Sequence, residues 1–344
     1  MMMARSFIKS FGWPRIIIGL FLAALFVAGP FFGVKTDMSF NDVIVRFGMN
    51  AVLVLSMVPM IQSGTGLNFG IPVGIIAGMI GAVMSLEFNL TGMAGILAAF
   101  GIAMIVAVIF GWCYGLLLNK VKGDEMIIAT YVGLSFMFFM NIIWLVLPFR
   151  NPASVQGFKG EGLRVTISVQ DYWYHKISEI LQIKVTPNFI IPTGMILFFA
   201  LMSLIVWGFF RTKIGTAITA VGSNPEFARA SGINVNNMRT VSVVISTMLA
   251  AIGIIVYQQA FGFIQMYGSP QAFIFPSVAA ILLGGASVNK ASIANVIIGT
   301  LLFQGILTMT PSVINSAISI DVSEVVRIIV TNGMIVYALT RKAR

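Results

Sequence analysis

Met93–Asn119 reads MAGILAAFGIAMIVAVIFGWCYGLLLN, a stretch without a single charge. A helix that crosses a bilayer needs about 20 predominantly apolar residues, so this stretch is long enough to do it alone. Further apolar runs lie at roughly 16–33, 43–62, 70–86, 126–148, 188–210, 240–262, 274–286, 291–312 and 323–340. The whole chain of 344 residues follows suit, with 58% hydrophobic residues, 9% charged residues and a mean hydropathy of +0.97. Soluble domains carry about 25% charged residues; this chain could not cover its own surface in water. That excludes a soluble enzyme, a nucleic-acid-binding domain and a disordered protein. The expected fold is an all-α polytopic membrane protein with about ten transmembrane helices. No linker or charged tract divides it, so 1–344 reads as a single transmembrane domain.

The net charge of +10 is read as topology, because Lys and Arg accumulate in cytoplasmic loops. Arg5, Lys9 and Arg15 precede the first run. That run is long for a signal peptide and no convincing small-x-small cleavage site follows, so it is expected to stay as the first helix. Alternating ten spans from an inside N-terminus puts most basic residues inside, including Lys120, Lys122, Arg211, Lys213, Arg229, Arg239 and Lys290. Lys35, Arg150, Lys159, Arg164, Lys176 and Lys184 fall outside, while Arg46 and Arg327 fall near helix starts and could snorkel. Both termini are thus expected in the cytoplasm. Cys113 stands alone and His175 lies in a polar loop, a poor basis for a disulfide or a metal site.

Two extramembrane segments stand out. Residues 149–187 are expected outside, with Gln170–Ile183 as an amphipathic helix whose Tyr172, Trp173 and Ile177 rest on the lipid interface. Residues 211–239 are expected inside. Within them, Gly222–Asn234 (GSNPEFARASGIN) reads as a short capped helix. Asn224 can cap it, Pro225 suits its first position, Glu226 favours its positive end and Gly232 allows the left-handed residue that stops it. Such a unit is either a knob for a partner protein or an ordinary tie between two spans.

A weak internal repeat at an offset of 204 pairs Gly64, Phe69, Pro72, Gly81 and Ala82 with Gly268, Phe273, Pro276, Gly285 and Ala286. The expected topology puts the two copies on opposite sides, as in inverted repeats of transporters. Three Gly and one Pro interrupt Gly64–Pro72, and backbone that leaves the helix at membrane depth must be buried in protein or line a wet cavity. The candidate solute path is accordingly drawn through Gln62, Asn68, Phe69, Asn141, Gln258 and Gln304, the amides and one aromatic near the broken segments. No Asp, Glu, Lys or His is expected at mid-span, which suits an uncharged polar solute. Gly74-x-x-x-Gly78 and Gly111-x-x-x-Gly115 read as close-packing motifs.

Gly222–Asn234, with Arg211-Thr-Lys-Ile-Gly215 before it, resembles the coupling loop of ABC-importer permeases of the ribose, galactose and nucleoside type. Leu282-Leu-Gly-Gly-Ala286 is similar to the penultimate region of that family. One stretch departs: Gly66-Leu-Asn-Phe-Gly70 has Asn68 where many sugar permeases of the family have an Asp, and it looks closer to nucleoside-type members. The resemblance implies a permease subunit that conducts a small polar solute, a monosaccharide or a nucleoside, across a bacterial-type plasma membrane. It implies that Asn224, Pro225, Glu226, Phe227, Ala228, Arg229 and Gly232 dock on a cytoplasmic ABC ATPase. A second permease, identical or paralogous, and an extracytoplasmic solute-binding protein are the further partners it implies; lipid surrounds the subunit. The sequence has no G-x-x-x-x-G-K-[ST], so ATP and Mg would belong to the partner ATPase, and no cofactor or catalytic residue is expected here. The alternative reading is a self-contained secondary transporter or channel for a small neutral solute.

Overall fold

A Pro at position 59 decides where the second helix breaks. Proline lacks an N–H and its ring crowds the carbonyl four residues back. The helix that starts at Thr36 accordingly stops at Leu55 and resumes over Met57–Gln62. In the computed structural model, residues 13–156, 162–186 and 189–318 are described, with Val325, Ile328, Ile329, Asn332, Gly333 and Val336 beyond them. The helices are α1 (Trp13–Ala28), α2 (Thr36–Leu55), α3 (Met57–Gln62), α4 (Ile71–Glu87), α5 (Gly92–Lys120) and α6 (Glu125–Val146). They continue as α7 (Thr193–Phe210), α8 (Lys213–Ser223), α9 (Pro225–Ala230), α10 (Val235–Phe261), α11 (Ser269–Ala272), α12 (Ile274–Leu283) and α13 (Ile293–Ile318). Four short strands, β1 (Thr166–Ser168), β2 (Ile183–Thr186), β3 (Phe189–Ile191) and β4 (Phe263–Gln265), pair antiparallel as β1–β4 and β2–β3.

Among the described residues, 7 helical segments are long and apolar enough to cross a membrane, α2 and α3 counting as one; α4 and α11–α12 are apolar but shorter. The chain is therefore a polytopic helical membrane protein. The expected run 323–340 lies outside the described residues except for six helical positions, and Arg5, Lys9, Lys159 and Arg327 lie outside them altogether.

α10 forms the centre. It runs antiparallel to α2–α3: Gly253 meets Leu53, Ser246 meets Ser56 and Ser242 meets Pro59. Two glycine seams let its backbone approach on either side. A Cβ at Gly78 would fall 2.4 Å from the Ala251 carbonyl, and one at Gly111 would fall 2.9 Å from the Val244 Cα. Both expected close-packing motifs thus serve as seats for this one helix. Ser246 donates to the Ser56 carbonyl at 2.6 Å, and Ser242 to that of Pro59. These hydroxyls bind carbonyls on either side of the Pro59 break and fasten it to α10.

The bundle has two chemically different ends. At one end lie Arg15, Lys120, Lys122, Arg211, Lys213, Arg229, Arg239 and Lys290 with Asp124, Glu125 and Glu226. At the other lie Lys35, Arg150, Arg164, Lys176 and Lys184 with Asp37, Glu87, Asp171 and Glu179. Residues 149–156, 162–186 and 189–192 pack over part of the far end. There the expected amphipathic helix over Gln170–Ile183 does not form; residues 171–181 coil through turns. His175 has φ +56°, and its N–H bonds to the Gln259 carbonyl instead of to its own turn. Trp173 and Ile177 are buried in the core of the bundle, where they were expected to face lipid.

Candidate functional site

At the basic end the sequence-predicted helix is present as α9. The Asn224 Oδ1 accepts from the Phe227 N–H at 3.0 Å, Pro225 opens the helix, and Glu226 and Arg229 pair at 3.3 Å on its surface. Gly232 takes φ +80° just past the end, as the stop signal requires. Phe227 is 67% exposed, a large apolar ring presented outward. Ala228 is a correction. It is fully buried against Val221 and Val235, so it anchors α9 to α8 and α10 and offers nothing to a partner.

α8 connects this helix to the broken segment. Its Gly222 lies directly on the backbone of Gln62–Gly64: a Cβ there would fall 2.1 Å from the Gln62 carbonyl oxygen. Arg239, at the start of α10, donates to Glu125 at 2.9 Å and to the Gly64 carbonyl at 3.3 Å. Both members of this ion pair are 12% exposed. A cleft of about 300 Å³ between Gly64, Glu125, Pro225, Arg229 and Arg239 separates α9 from the break. α8, α9 and the broken segment are thus one contiguous unit.

The residues expected along the path separate into three places. Gln62 donates its side-chain N–H to the Ala291 carbonyl, and Asn68 is buried, donating to Ser246 at 2.9 Å and accepting from the Tyr114 hydroxyl at 3.3 Å. Both hold the non-helical stretch 63–70 in place. Phe69 sets its ring edge-on to Phe275, 6.2 Å away. Asn141 lies beside the Met137 and Tyr267 carbonyls, and its amide nitrogen can donate to both. Gln258 is buried with its Oε1 unsatisfied. Gln304 alone of the set lines the main cavity.

That cavity, of about 760 Å³, lies in the far half of the bundle. α2 contributes Asp42, Val45, Arg46, Met49 and Asn50; α10 contributes Tyr257, Ala260 and Phe261. Gln265, Phe273, Pro276, Phe303, Gln304 and Leu307 complete the wall, with Ile328 and Asn332 from the last stretch. Asp42 and Arg46 correct the expectation of a neutral interior. The helix begins at Thr36, seven residues before the apolar run that marked it, so both charges sit inside a span and face a cavity. Their spacing, Asp42–Arg46–Asn50, was the available signal: steps of four residues place all three on one helix face.

A polytopic bundle with an exposed capped helix at its basic end and a polar cavity entering from the other defines a membrane transport subunit, a permease. The chain belongs to the family described as branched-chain amino acid transport system / permease component, whose model matches residues 39–338. It is 25% identical over 235 residues to the nucleoside ABC transporter permease protein NupB of Lactococcus lactis subsp. cremoris (strain MG1363), covering 65% of this chain and 60% of that one. It is 26% identical to NupC of the same strain, covering 64% and 68%. Against the autoinducer 2 import system permease protein LsrC of Enterobacter sp. (strain 638) it is 34% identical over 124 residues, covering 36% and 35%. The match thus spans 60% of the length of NupB and about a third of LsrC. No solved structure matches the chain. Family membership makes it a transport subunit and not an enzyme.

Proposed function

We propose that the chain is the membrane-spanning permease subunit of an ATP-driven ABC importer for a small polar solute. The observation that carries this reading is the capped α9 helix, with Phe227 exposed on its surface and its neighbour Gly222 seated on the broken segment. The excess of Lys and Arg supports placing this end in the cytoplasm, together with both termini. There Asn224, Pro225, Glu226, Phe227, Arg229 and Gly232 form the contact with a cytoplasmic ATPase that holds ATP and Mg. Ala228 supports them from beneath. Ten spans arranged as an inverted repeat fit the antiparallel pairing of α2–α3 with α10, each followed by an irregular stretch and a shorter helix. The cavity at the far end receives solute from an extracytoplasmic binding protein. The path continues from Gln304 toward the break at Gln62–Phe69, and a second permease, copy or paralogue, closes its other side. The nucleoside permeases among the relatives support a nucleoside as the solute.

Closure of the ATPase pair would pull α9 and, through Gly222 and Arg239, shift the break and α10 between outward- and inward-facing arrangements. Affinity purification of the tagged chain from detergent-solubilised membranes tests the reading. A P-loop ATPase is expected in a one-to-one ratio with the permease. Solute uptake by the chain alone, without ATP, would replace this reading with that of a secondary transporter or channel.

A further inference from the structure

Charged side chains inside a span are costly and mark functional sites. Asp42 and Arg46 line the 760 Å³ cavity from one face of α2, with Asn50 a further turn along. Among the described residues neither the Asp42 carboxylate nor the Arg46 guanidinium has a hydrogen bond or a close ion pair; the two attract each other through space, one turn apart. Asn50 spends its amide N–H on the Arg46 carbonyl at 2.9 Å, which leaves its Oδ1 as an acceptor. The cavity wall contributed by α10 and the segment after it is aromatic. Tyr257 stacks on Phe261 with ring centroids 5.5 Å apart and meets Phe273 edge-on at 4.9 Å.

We propose that this cavity is a recognition site for a nucleoside, a neutral solute that joins a flat heteroaromatic base to a sugar bearing hydroxyls. The proposal rests on the importer reading and assigns residues to it. A carboxylate only accepts hydrogen bonds and suits the sugar hydroxyls; a guanidinium only donates and suits the carbonyl and ring nitrogens of a base. The faces of Phe261 and Phe273 suit stacking on the base, which is tolerant of its identity. The two charges cancel, so the pair gives no net attraction to an anionic or a cationic solute and suits a neutral one. A monosaccharide satisfies the polar stripe and leaves the aromatic wall unused. A zwitterionic amino acid satisfies the two charges and leaves most of a cavity this large unfilled.

The test is protection of a single cysteine in the complete transporter. Gln265→Cys, on the cavity wall but outside the polar stripe, is introduced with Cys113→Ser, and right-side-out vesicles are treated with a membrane-impermeant thiol reagent. With a dissociation constant of about 1 mM, uridine at about 10 mM slows modification by about tenfold. Ribose, leucine and uridine monophosphate at the same concentration are expected to leave the rate within about twofold. Asp42→Asn combined with Arg46→Gln in the same background removes the protection. Leu307→Cys, also on the cavity wall, serves if the Gln265 variant does not accumulate. Protection by leucine equal to that by uridine, or no protection by uridine, overturns the assignment. ATP-driven uptake of tritiated uridine by the unmodified transporter is measured beside it. Uptake without protection removes this site and leaves the importer standing; protection without ATP-dependent uptake keeps the site and removes the importer.

Discussion

Gly222→Ala tests whether α8 passes force to the broken segment. Two effects compete. Inside a helix, Ala is favoured over Gly by about 1 kcal/mol, and Gly222 lies within α8, so a loose site would gain stability. The Cβ, however, would stand 2.1 Å from the Gln62 carbonyl oxygen, 2.9 Å from its carbon and 3.0 Å from the Gly64 nitrogen. All three are backbone atoms, so no side chain can rotate away, and relief requires the two segments to part by more than about 1 Å at the van der Waals distances of packed atoms. Overpacking of this kind costs about 1–3 kcal/mol, which outweighs the helix gain. The expected result is a melting temperature lowered by a few degrees in detergent. The ATPase stays bound, because Phe227 and the cap are untouched, and the number of solute molecules imported per ATP hydrolysed falls several-fold. Gly208→Ala is the control: a Cβ there meets nothing within 4 Å, so it should be neutral or slightly stabilising. A Gly222→Ala transporter that melts no lower than the Gly208→Ala one and imports with normal stoichiometry would refute the joint.

Phe227→Asp should leave the melting temperature unchanged and abolish ATPase co-purification, since its ring is exposed; Ala228→Arg should instead destabilise the permease itself, by about 2 kcal/mol or more, because the site is buried. Arg239→Gln alone strands the Glu125 carboxylate and should cost up to about 3–5 kcal/mol, whereas the double variant Glu125→Gln, Arg239→Gln should recover much of that loss in thermal melts. Cysteines at Lys176 and Arg229, with Cys113 removed, should be labelled from opposite faces of intact membranes, and labelling of both from outside would invert or break the proposed topology.

The membrane-spanning helices were legible because the signal is strong: a run such as 93–119 has no other stable fate than a buried or lipid-facing helix. The α9 cap was legible for a different reason. Asn224, Pro225 and Gly232 each need a specific backbone position, and together they fix a helix of one length. The errors share a cause in tertiary contact. Trp173 and Ile177 repeat at helical spacing, but the Gln259 carbonyl in the last turn of α10 takes the His175 N–H, which then makes no helical bond. Ala228 reads as an apolar surface residue only until α8 and α10 close over it. Asp42 and Arg46 look like the border of a span because a hydropathy run ends at the first charge, although a helix beside a cavity can continue with its polar face turned inward. Asn68 was drawn into the path for its polarity, and that polarity also ties stretch 63–70 to Ser246 and Tyr114.

α10 is the element through which the two sites can communicate. Arg239 near its start holds the joint at the basic end, and Tyr257 and Phe261 near its finish wall the cavity. At 1.5 Å per residue, the helix carries the rise from Arg239 to Tyr257 over about 27 Å. Glycine seams on α4 and α5 receive its Thr240, Thr247, Ala250 and Ile254 side chains at close range, so α10 and these neighbours are packed tightly along its length. Ser242 and Ser246 tie it to the break through hydroxyls worth about 1 kcal/mol net each, and Gly253 packs on Leu53 of α2. A tilt imposed on α9 at one end would therefore be felt at the aromatic wall of the cavity at the other, while Asp42, Arg46 and Asn50 stay with α2. In the proposed importer the charged stripe on α2 and the stacking wall on α10 would then shift relative to each other, which would part the two halves of the recognition site and release the solute.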